Sequence, residues 1–358
     1  LKARLSDAVY FFENDIANTF ENWNEKLRHV LFYESLGSMY DKTVRMANVS
    51  KVFAKAFGVK SELAEQAAIL SKADLVSEMV MEFPELQGIM GGHYAKIKNK
   101  HEEVTKAIFE HYKPKGLSDD LPETKLGSLL SMVDKIDTLV GFFTVGKKPT
   151  GSKDPFALRR NGFSIVQILI NLKLNMSLNE LIEPSLKEYH CSSPSIKISL
   201  IDFMIDKLKY ILSYKNNRID IVSSVLQTEN INNIPFKVIL SRIDSISKFI
   251  KDSDLKIFLE NFKRINNILK IEKFSNDAVF QIDIKIFKTT EEEKIYNITN
   301  SFIKEIQEIG TCEKSQDILI NCLLEMNKPI TSFFDNVIVN HKDYNIRNNR
   351  LSLLKNLH

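Results

Sequence analysis

Residues 201–212 read IDFMIDKLKYIL. Ile201, Met204, Ile205, Leu208, Ile211 and Leu212 recur at steps of three and four, the stripe that an amphipathic α-helix turns toward a core. Working outward, the same period returns on both sides. It runs through Phe11, Phe12, Ile16 and Phe20, through Val44, Met46, Ala47, Val52 and Phe53 up to a capping Gly58, and from Ser61 to Ala73. Glu102 to Tyr112 gives a short helix stopped by Pro114, and Leu126 to Phe143 a longer one. Asp154-Pro155 reads as a cap followed by proline in the first helical position, opening a helix through Phe163, Val166 and Ile170. On the C-terminal side, helical patterns recur at 236–250, 255–271, 291–309 and 315–326, while 272–288 admits a strand but reads as loop or helix.

Composition points the same way. Gly and Pro together supply 21 of 358 residues, and after Gly162 only Gly310 remains, so sharp hairpins are scarce. The chain is predicted to be all-α. Polar loops fall at 113–124 and 146–153, and HCSSPSIKISL at 190–200 has the character of a linker. The expected organisation is a helical domain over 1–170, a linker over 171–200 and a second helical domain over 201–358.

Several classes are excluded. A 44% hydrophobic content is that of a globular chain, not a mainly disordered one. Apolar runs such as Leu139 to Val145 fall far short of the roughly 20 residues a membrane helix needs, so no membrane partner is expected. The first residues, LKARLSDAVYFF, carry mixed charge instead of a secretory signal, lack an initiating Met and open as if within a helix, the expectation being a fragment of a longer chain. Cys191, Cys312 and Cys322 are scattered and odd in number, which fits a reducing cytoplasm better than a disulfide framework. A net charge of +3 is almost balanced, so binding to nucleic acid must come from local patches.

The loop Gly146 to Lys153, GKKPTGSK, nearly matches a phosphate-cradling G-x-x-x-x-G-K-[ST], but Ser152 precedes Lys153 and no βα alternation surrounds it. What remains is a charged cluster, Lys147, Lys148, Lys153, Arg159 and Arg160 against Asp154. Arg159 and Arg160 border the apolar face of Phe156, Phe163, Val166 and Ile170, where an arginine needs a carboxylate partner such as Asp134 or Asp137, or else a ligand. Spacing alone leaves phosphate binding and structural pairing equally open. Helical metal-dependent phosphohydrolases of the HD superfamily pair His with Asp, yet the seven histidines here include no His-Asp pair and none four residues from another. Asp74 and Asp134 are suitably acidic, but no metal site is expected. No nucleophile elbow is present, and Cys322 in LINCLLEM reads as core. Two basic segments remain near the C-terminus, KRINN with Lys263 and Arg264, and IRNNRLSLL with Arg347, Asn348, Asn349 and Arg350. Arg347 and Arg350 are one turn apart and can face one partner, and the asparagines between them can bond base edges or phosphates; an ordinary exposed helix face is the competing reading.

ARLSDAVYFFENDI, LGSMYDKTVRM, KADLVSEMVMEFPELQGIMGGHYA and GKKPTGSKDPFALRR resemble the beta subunit of bacterial glycyl-tRNA synthetase, and the resemblance resumes at FKRINNILK and ITSFFDNVIVN through IRNNRLSLL. Over 171–260 it holds only in outline. It implies an HD-like helical domain with degenerate metal ligands, Ala73-Asp74 standing where a His-Asp pair would be, followed by a helical anticodon-binding domain of the DALR type. It also implies a ligase subunit whose catalytic core for glycine, ATP and Mg2+ lies in an alpha subunit within an alpha2beta2 heterotetramer, leaving no cofactor, catalytic residue or editing site to this fragment. The expected partners are tRNA-Gly and the alpha subunit, not DNA. The implied tRNA contacts are Arg347, Asn348, Arg350, Lys263 and Arg264 at the anticodon end, with Lys147, Lys148, Lys153, Arg159 and Arg160 on phosphates. Two positions depart from the family pattern: Lys207 and Asn266 stand where arginine is expected, which removes a planar guanidinium at each. Subunit assembly without tRNA contact and an atypical HD-type phosphohydrolase are the rival functions.

Overall fold

A computed structural model describes residues 2–151, 153–214, 218–250, 254–271, 282–309 and 315–357. Among them are seventeen α-helices and one small antiparallel hairpin, Leu31–Tyr33 with Gly37–Ser38, so the fold is all-α as the periodicity requires. The chain divides into two compact units, 1–239 and 240–358.

The first unit contains α1 (Lys2–Ala17), α2 (Phe20–Lys26), α3 (Met39–Phe57), α4 (Ser61–Leu70), α5 (Glu78–Glu82), α6 (Ile89–Ile97) and α7 (Glu102–Glu110). It continues with α8 (Lys125–Thr144), α9 (Leu158–Leu172), α10 (Leu178–Glu188), α11 (Pro194–Tyr214) and α12 (Ile219–Leu226). The division between units falls inside α13 (Phe236–Phe249). The central element is α8, whose Leu129, Met132, Val133, Ile136, Leu139 and Val140 are all fully buried. Helices α3, α4, α7, α9, α10 and α11 pack around it. Ends are well marked: Ser38 and Asp41 form a capping box at the start of α3, and Gly58 closes that helix at φ 65°.

Three expectations change here. The segment 171–200 is not a linker: Ser177 and Glu180 form a second capping box, and Leu178, Leu181, Ile182 and Leu186 of α10 are buried. The Ser/Pro run that disguised this is only the turn into α11. That helix was expected in the second domain, yet its stripe of Leu200, Met204, Leu208 and Ile211 is buried within the first unit, where α11 packs on α9 and α10. Helix α9 begins at Leu158, later than Pro155; Asp154 still caps it, its two carboxylate oxygens accepting from the Leu158 and Arg159 N–H groups at 2.8 and 2.9 Å.

The second unit holds α14 (Asp254–Ile271), α15 (Thr290–Ile309), α16 (Ser315–Asn336) and α17 (Tyr344–Asn356) around Ile265, Ile295, Ile330, Phe333, Leu353 and Leu354. Of the ambiguous stretch 272–288, residues 272–281 lie outside the described set, and Ile284–Ile286 is a single 3-10 turn. Cys312 also lies outside it. Cys322 is half-buried and not core; its thiol donates to Glu305 at 3.1 Å, and burial with that carboxylate pushes it up to about 11. Among the described residues no helix is long and apolar enough to cross a membrane.

Candidate nucleic-acid interface

Because α8 is buried on nearly every side, the polar residues in its sequence must find partners inside the protein. Asp134 does so with two lysines. Lys42 Nζ lies 3.0 Å from Oδ1 and Lys72 Nζ 2.8 Å from Oδ2, so each carboxylate oxygen carries its own ammonium. Asp137, one turn on, accepts from Arg45 Nε at 2.8 Å and Lys42 at 3.2 Å. Burial alone pushes the Asp134 carboxyl up, but the charges of Lys42, Lys72 and Lys135 outweigh it and hold the group well below the usual carboxylate range.

His111 is fully buried against the same cluster. Its Nδ1 meets the Ile108 carbonyl at 2.7 Å, so Nδ1 carries the proton and Nε2 accepts from Lys72 at 3.0 Å. Burial and the neighbouring ammonium keep this imidazole neutral, well below its ordinary range. Lys135 donates only to neutral oxygens, those of His111, Lys113 and Ser131, and burial pulls it down to about 8.

Asp74 lies close to the same cluster, under the string ELQGIMGG, where Gly88 borders His111 and Tyr112. Oδ2 accepts the Gly88 and Gly91 N–H groups at 2.6 and 2.9 Å, while Oδ1 is buried without a hydrogen-bond partner among the described residues. Burial pushes this carboxyl up to about 6. Gly88 has φ +81°, and a Cβ on Gly91 would come 2.9 Å from Asp74 Oδ2, so both glycines are needed for the approach. Among the described residues no three His, Cys, Asp or Glu side chains group as a metal site.

Sequence reasoning missed Lys42, Arg45, Lys72 and His111, and it offered Asp134 and Asp137 as partners for Arg159. That pairing is not made, because both carboxylates are filled from α3 and from Lys72. Among the described residues neither Arg159 nor Arg160 has an ion-pair partner. Both line a cavity of about 380 Å³ with Leu117, Asp154 and Phe163. The rest of the predicted patch is looser. Lys148 donates to Ser199 at 2.7 Å, and Lys147 and Lys153 are exposed outside that cavity.

In the second unit the predicted residues separate into two groups. Arg264 and Arg347 line a cavity of about 430 Å³ with Ile268, Phe334, Val337 and Leu351. The Arg264 guanidinium lies 4.3 Å from the centre of the Phe334 ring. Lys263 is exposed beside it on α14, and Asn348 is half-buried beside Arg347. Arg350 goes the other way. Its Nε donates to Glu292 at 2.7 Å and another nitrogen to the Ile338 carbonyl at 2.8 Å, with the pair buried. Glu292 also takes the Lys288 and Thr289 N–H groups at the start of α15, so Arg350 ties α17 to that helix end. Asn349 is likewise spent, its amide bonding both backbone groups of Asp283. Arg350 and Asn349 are therefore structural, and the shared face expected for Arg347 and Arg350 does not exist. A turn of α17 carries one residue inward with Ile346 and Leu353 and the other to the cavity.

Residues 1–227 match the family model described as glycyl-tRNA synthetase beta subunit, well over half of the chain. The chain belongs to the glycyl-tRNA synthetase beta subunit family. Residues 258–358 match the DALR anticodon binding domain, which takes in both basic segments of the second unit. Relatives named glycine--tRNA ligase beta subunit include those of Rickettsia bellii, 41% identical over 100% of this chain, and Rickettsia prowazekii, 40% identical over 99%. That of Sulfurihydrogenibium sp. is 36% identical over 100% of the chain. The chain spans about half the length of these relatives, 51% of the Rickettsia proteins and 50% of the third.

Proposed function

We propose that this chain is a tRNA-binding, non-catalytic part of a glycyl-tRNA synthetase beta subunit, positioning tRNA-Gly for aminoacylation at the alpha subunit. The observation that carries this reading is the cavity formed by Arg264, Phe334 and Arg347 inside the residues matching the anticodon binding domain. Anticodon bases are unpaired; proteins read such bases by stacking them on aromatic or guanidinium planes and bonding their edges. The Arg264 guanidinium, held over Phe334, offers such a plane, and Arg347 supplies donors across the cavity. About 430 Å³ is within the range of small-ligand sites. On this reading the alpha subunit of an alpha2beta2 assembly handles glycine, ATP and Mg2+, and holding the tRNA in register lowers the barrier there. The first unit is then the HD-like domain. Ammonium groups on both Asp134 oxygens argue against the phosphohydrolase alternative, since those lone pairs are engaged.

The test is titration of the chain with tRNA-Gly and a non-cognate tRNA across a salt series, with Arg264→Ala and Arg347→Ala. We expect a cognate preference, a steep loss of affinity with salt, and about tenfold weaker cognate binding for the double variant. Affinity unchanged by both substitutions overturns the anticodon assignment.

A further inference from the structure

From its place in the first unit, α11 leaves an aromatic ladder uncovered. Phe163 of α9 and Tyr210 of α11 have ring centres 5.1 Å apart, and Tyr210 and Tyr214 lie 6.4 Å apart with planes only 7° from parallel. Tyr210 is 50% exposed and Tyr214 71%. Phe163 meets Tyr210 at a tilt of 48°, so the parallel part is the tyrosine pair; single exposed aromatics need no explanation, but two exposed rings held parallel one helical turn apart do. At its inner end the ladder meets positive charge. Phe163 is shared with the cavity lined by Arg159 and Arg160, and the Lys207 ammonium lies 5.2 Å from the Phe163 ring and 4.8 Å from that of Phe203. The acidic groups around it are Asp154, whose two oxygens are engaged with helix N–H groups, Asp202 and Asp206 on α11, and Asp119 and Asp120 just past the Gly116–Leu117 edge of the cavity.

We infer that this face binds single-stranded RNA, bases stacking on Tyr210 and Tyr214 and phosphates entering the Arg159–Arg160 cavity. A single strand presents a flat face and an adjacent anionic group at every nucleotide, which is what a stacking platform beside a basic groove accepts. A protein partner would have to bring carboxylates to two guanidinium groups that have no ion-pair partner among the described residues, as well as an apolar cover for the rings; one strand of nucleotides matches both features at once. The inference rests on the tRNA-binding reading above, and it assigns to the first unit an unpaired stretch of that RNA other than the anticodon. The stacking surface is made by residues that the basic-cluster reading did not include, with Phe163 joining the two.

The test uses the 358-residue chain and two fluorescein-labelled probes, a dodecauridylate and a blunt RNA hairpin with a minimal loop. Replacing both tyrosines, Tyr210→Ala with Tyr214→Ala, should weaken dodecauridylate binding at least about tenfold and leave the hairpin within twofold. The paired Tyr→Phe changes should keep wild-type affinity, because stacking needs the ring and not the hydroxyl. Arg159→Ala with Arg160→Ala should lower the slope of log affinity against log salt by about 1.4, the release expected for two phosphates on a single strand. The inference is overturned if the wild-type chain does not bind dodecauridylate, if the alanine pair binds it as wild type does, or if the phenylalanine pair is as weak as the alanine pair. Equal losses on both probes also overturn it. Failure of the anticodon reading shows separately, as an Arg264 and Arg347 variant with undiminished affinity for tRNA-Gly.

Discussion

The Lys72 ammonium lies 3.0 Å from His111 Nε2, with the Asp134 carboxylate 2.8 Å away on the same nitrogen. A histidine that accepts from a lysine cannot take up a proton without expelling its donor. His111 should therefore stay neutral from pH 8 down to pH 5, with Nδ1 protonated, and nitrogen-detected imidazole spectra will show its ring unchanged over that range. Burial is the larger cause of its lowered pKa and stays in Lys72→Met; losing the Lys72 charge, the second cause, should move the ring upward toward its ordinary range without returning it there. The same change leaves Asp134 one counter-charge short and should cost about 3–5 kcal/mol of stability, measured by urea unfolding.

Asp74 should give the fold a pH dependence of opposite sign to that of its paired neighbours. Its folded value of about 6 exceeds the ordinary 3.8, so the folded state holds this proton more tightly than the unfolded chain does. Its contribution is fully present below pH 4 and is lost as pH rises through 6, an effect of about 3 kcal/mol at 1.36 kcal/mol per unit. Asp134, held low, contributes above its ordinary value and loses that contribution in acid. Urea unfolding of wild type and Asp74→Asn at pH 4, 5.5 and 7 should show the difference between them shifting by that amount in favour of Asp74→Asn. A constant difference would mean that Asp74 ionises normally.

Arg350 and Arg264 should behave as opposites despite both being arginines in basic segments. Arg350→Ala leaves Glu292 buried beside α15 without its guanidinium, so we expect a loss of about 3–5 kcal/mol in the second unit. Burial pushes the Glu292 carboxyl up, but Arg350 and the helix N–H groups bring it below its usual range; this pair's contribution is therefore fully present above the ordinary 4.5 and is lost as pH falls below that value. Arg264→Ala, at an exposed position, should change stability by less than about 1 kcal/mol while weakening tRNA binding. Thermal unfolding and RNA titration of the two variants separate the roles.

Gly91→Ala would place a methyl group 2.9 Å from Asp74 Oδ2 and 3.1 Å from Ile108 Cγ2. Neither neighbour can retreat far, one being held by two N–H groups and the other fully buried. A destabilisation of about 1–3 kcal/mol is expected in urea unfolding, with Gly116→Ala, where nothing lies within 4 Å, as the control.

Helical class was legible because a period of 3.6 needs only neighbours in sequence, as the stripe from Ile201 to Leu212 shows. The family was legible in long strings such as EFPELQGIMG, whose glycines later prove to enclose Asp74. Contacts across the fold were not legible. Lys72 and Asp134 are separated by 62 residues and Lys42 and Asp137 by 95, so nothing local marks them as partners. Spacing offers Asp134 or Asp137 as one possible partner for Arg159 and Arg160, with phosphate equally open, but it cannot show that Lys42, Arg45 and Lys72 fill those carboxylates. Arg347 and Arg350 show a finer limit. Sequence places both on one side of a helix, but only the position of Glu292 decides which of them turns inward.

The two ammonium groups on Asp134 are parts of the polypeptide, which has a consequence for how the first unit comes into being. A carboxylate balanced by a bound ion makes folding answer to the supply of that ion, since occupancy and stability are linked by mass action. One balanced by Lys42 and Lys72 takes nothing from the medium. Its counter-charges are synthesised with it and are present at fixed stoichiometry from the first moment the helices meet. The charge balance at the centre of this unit is thus inherited with the chain itself, the same in starved and replete cells.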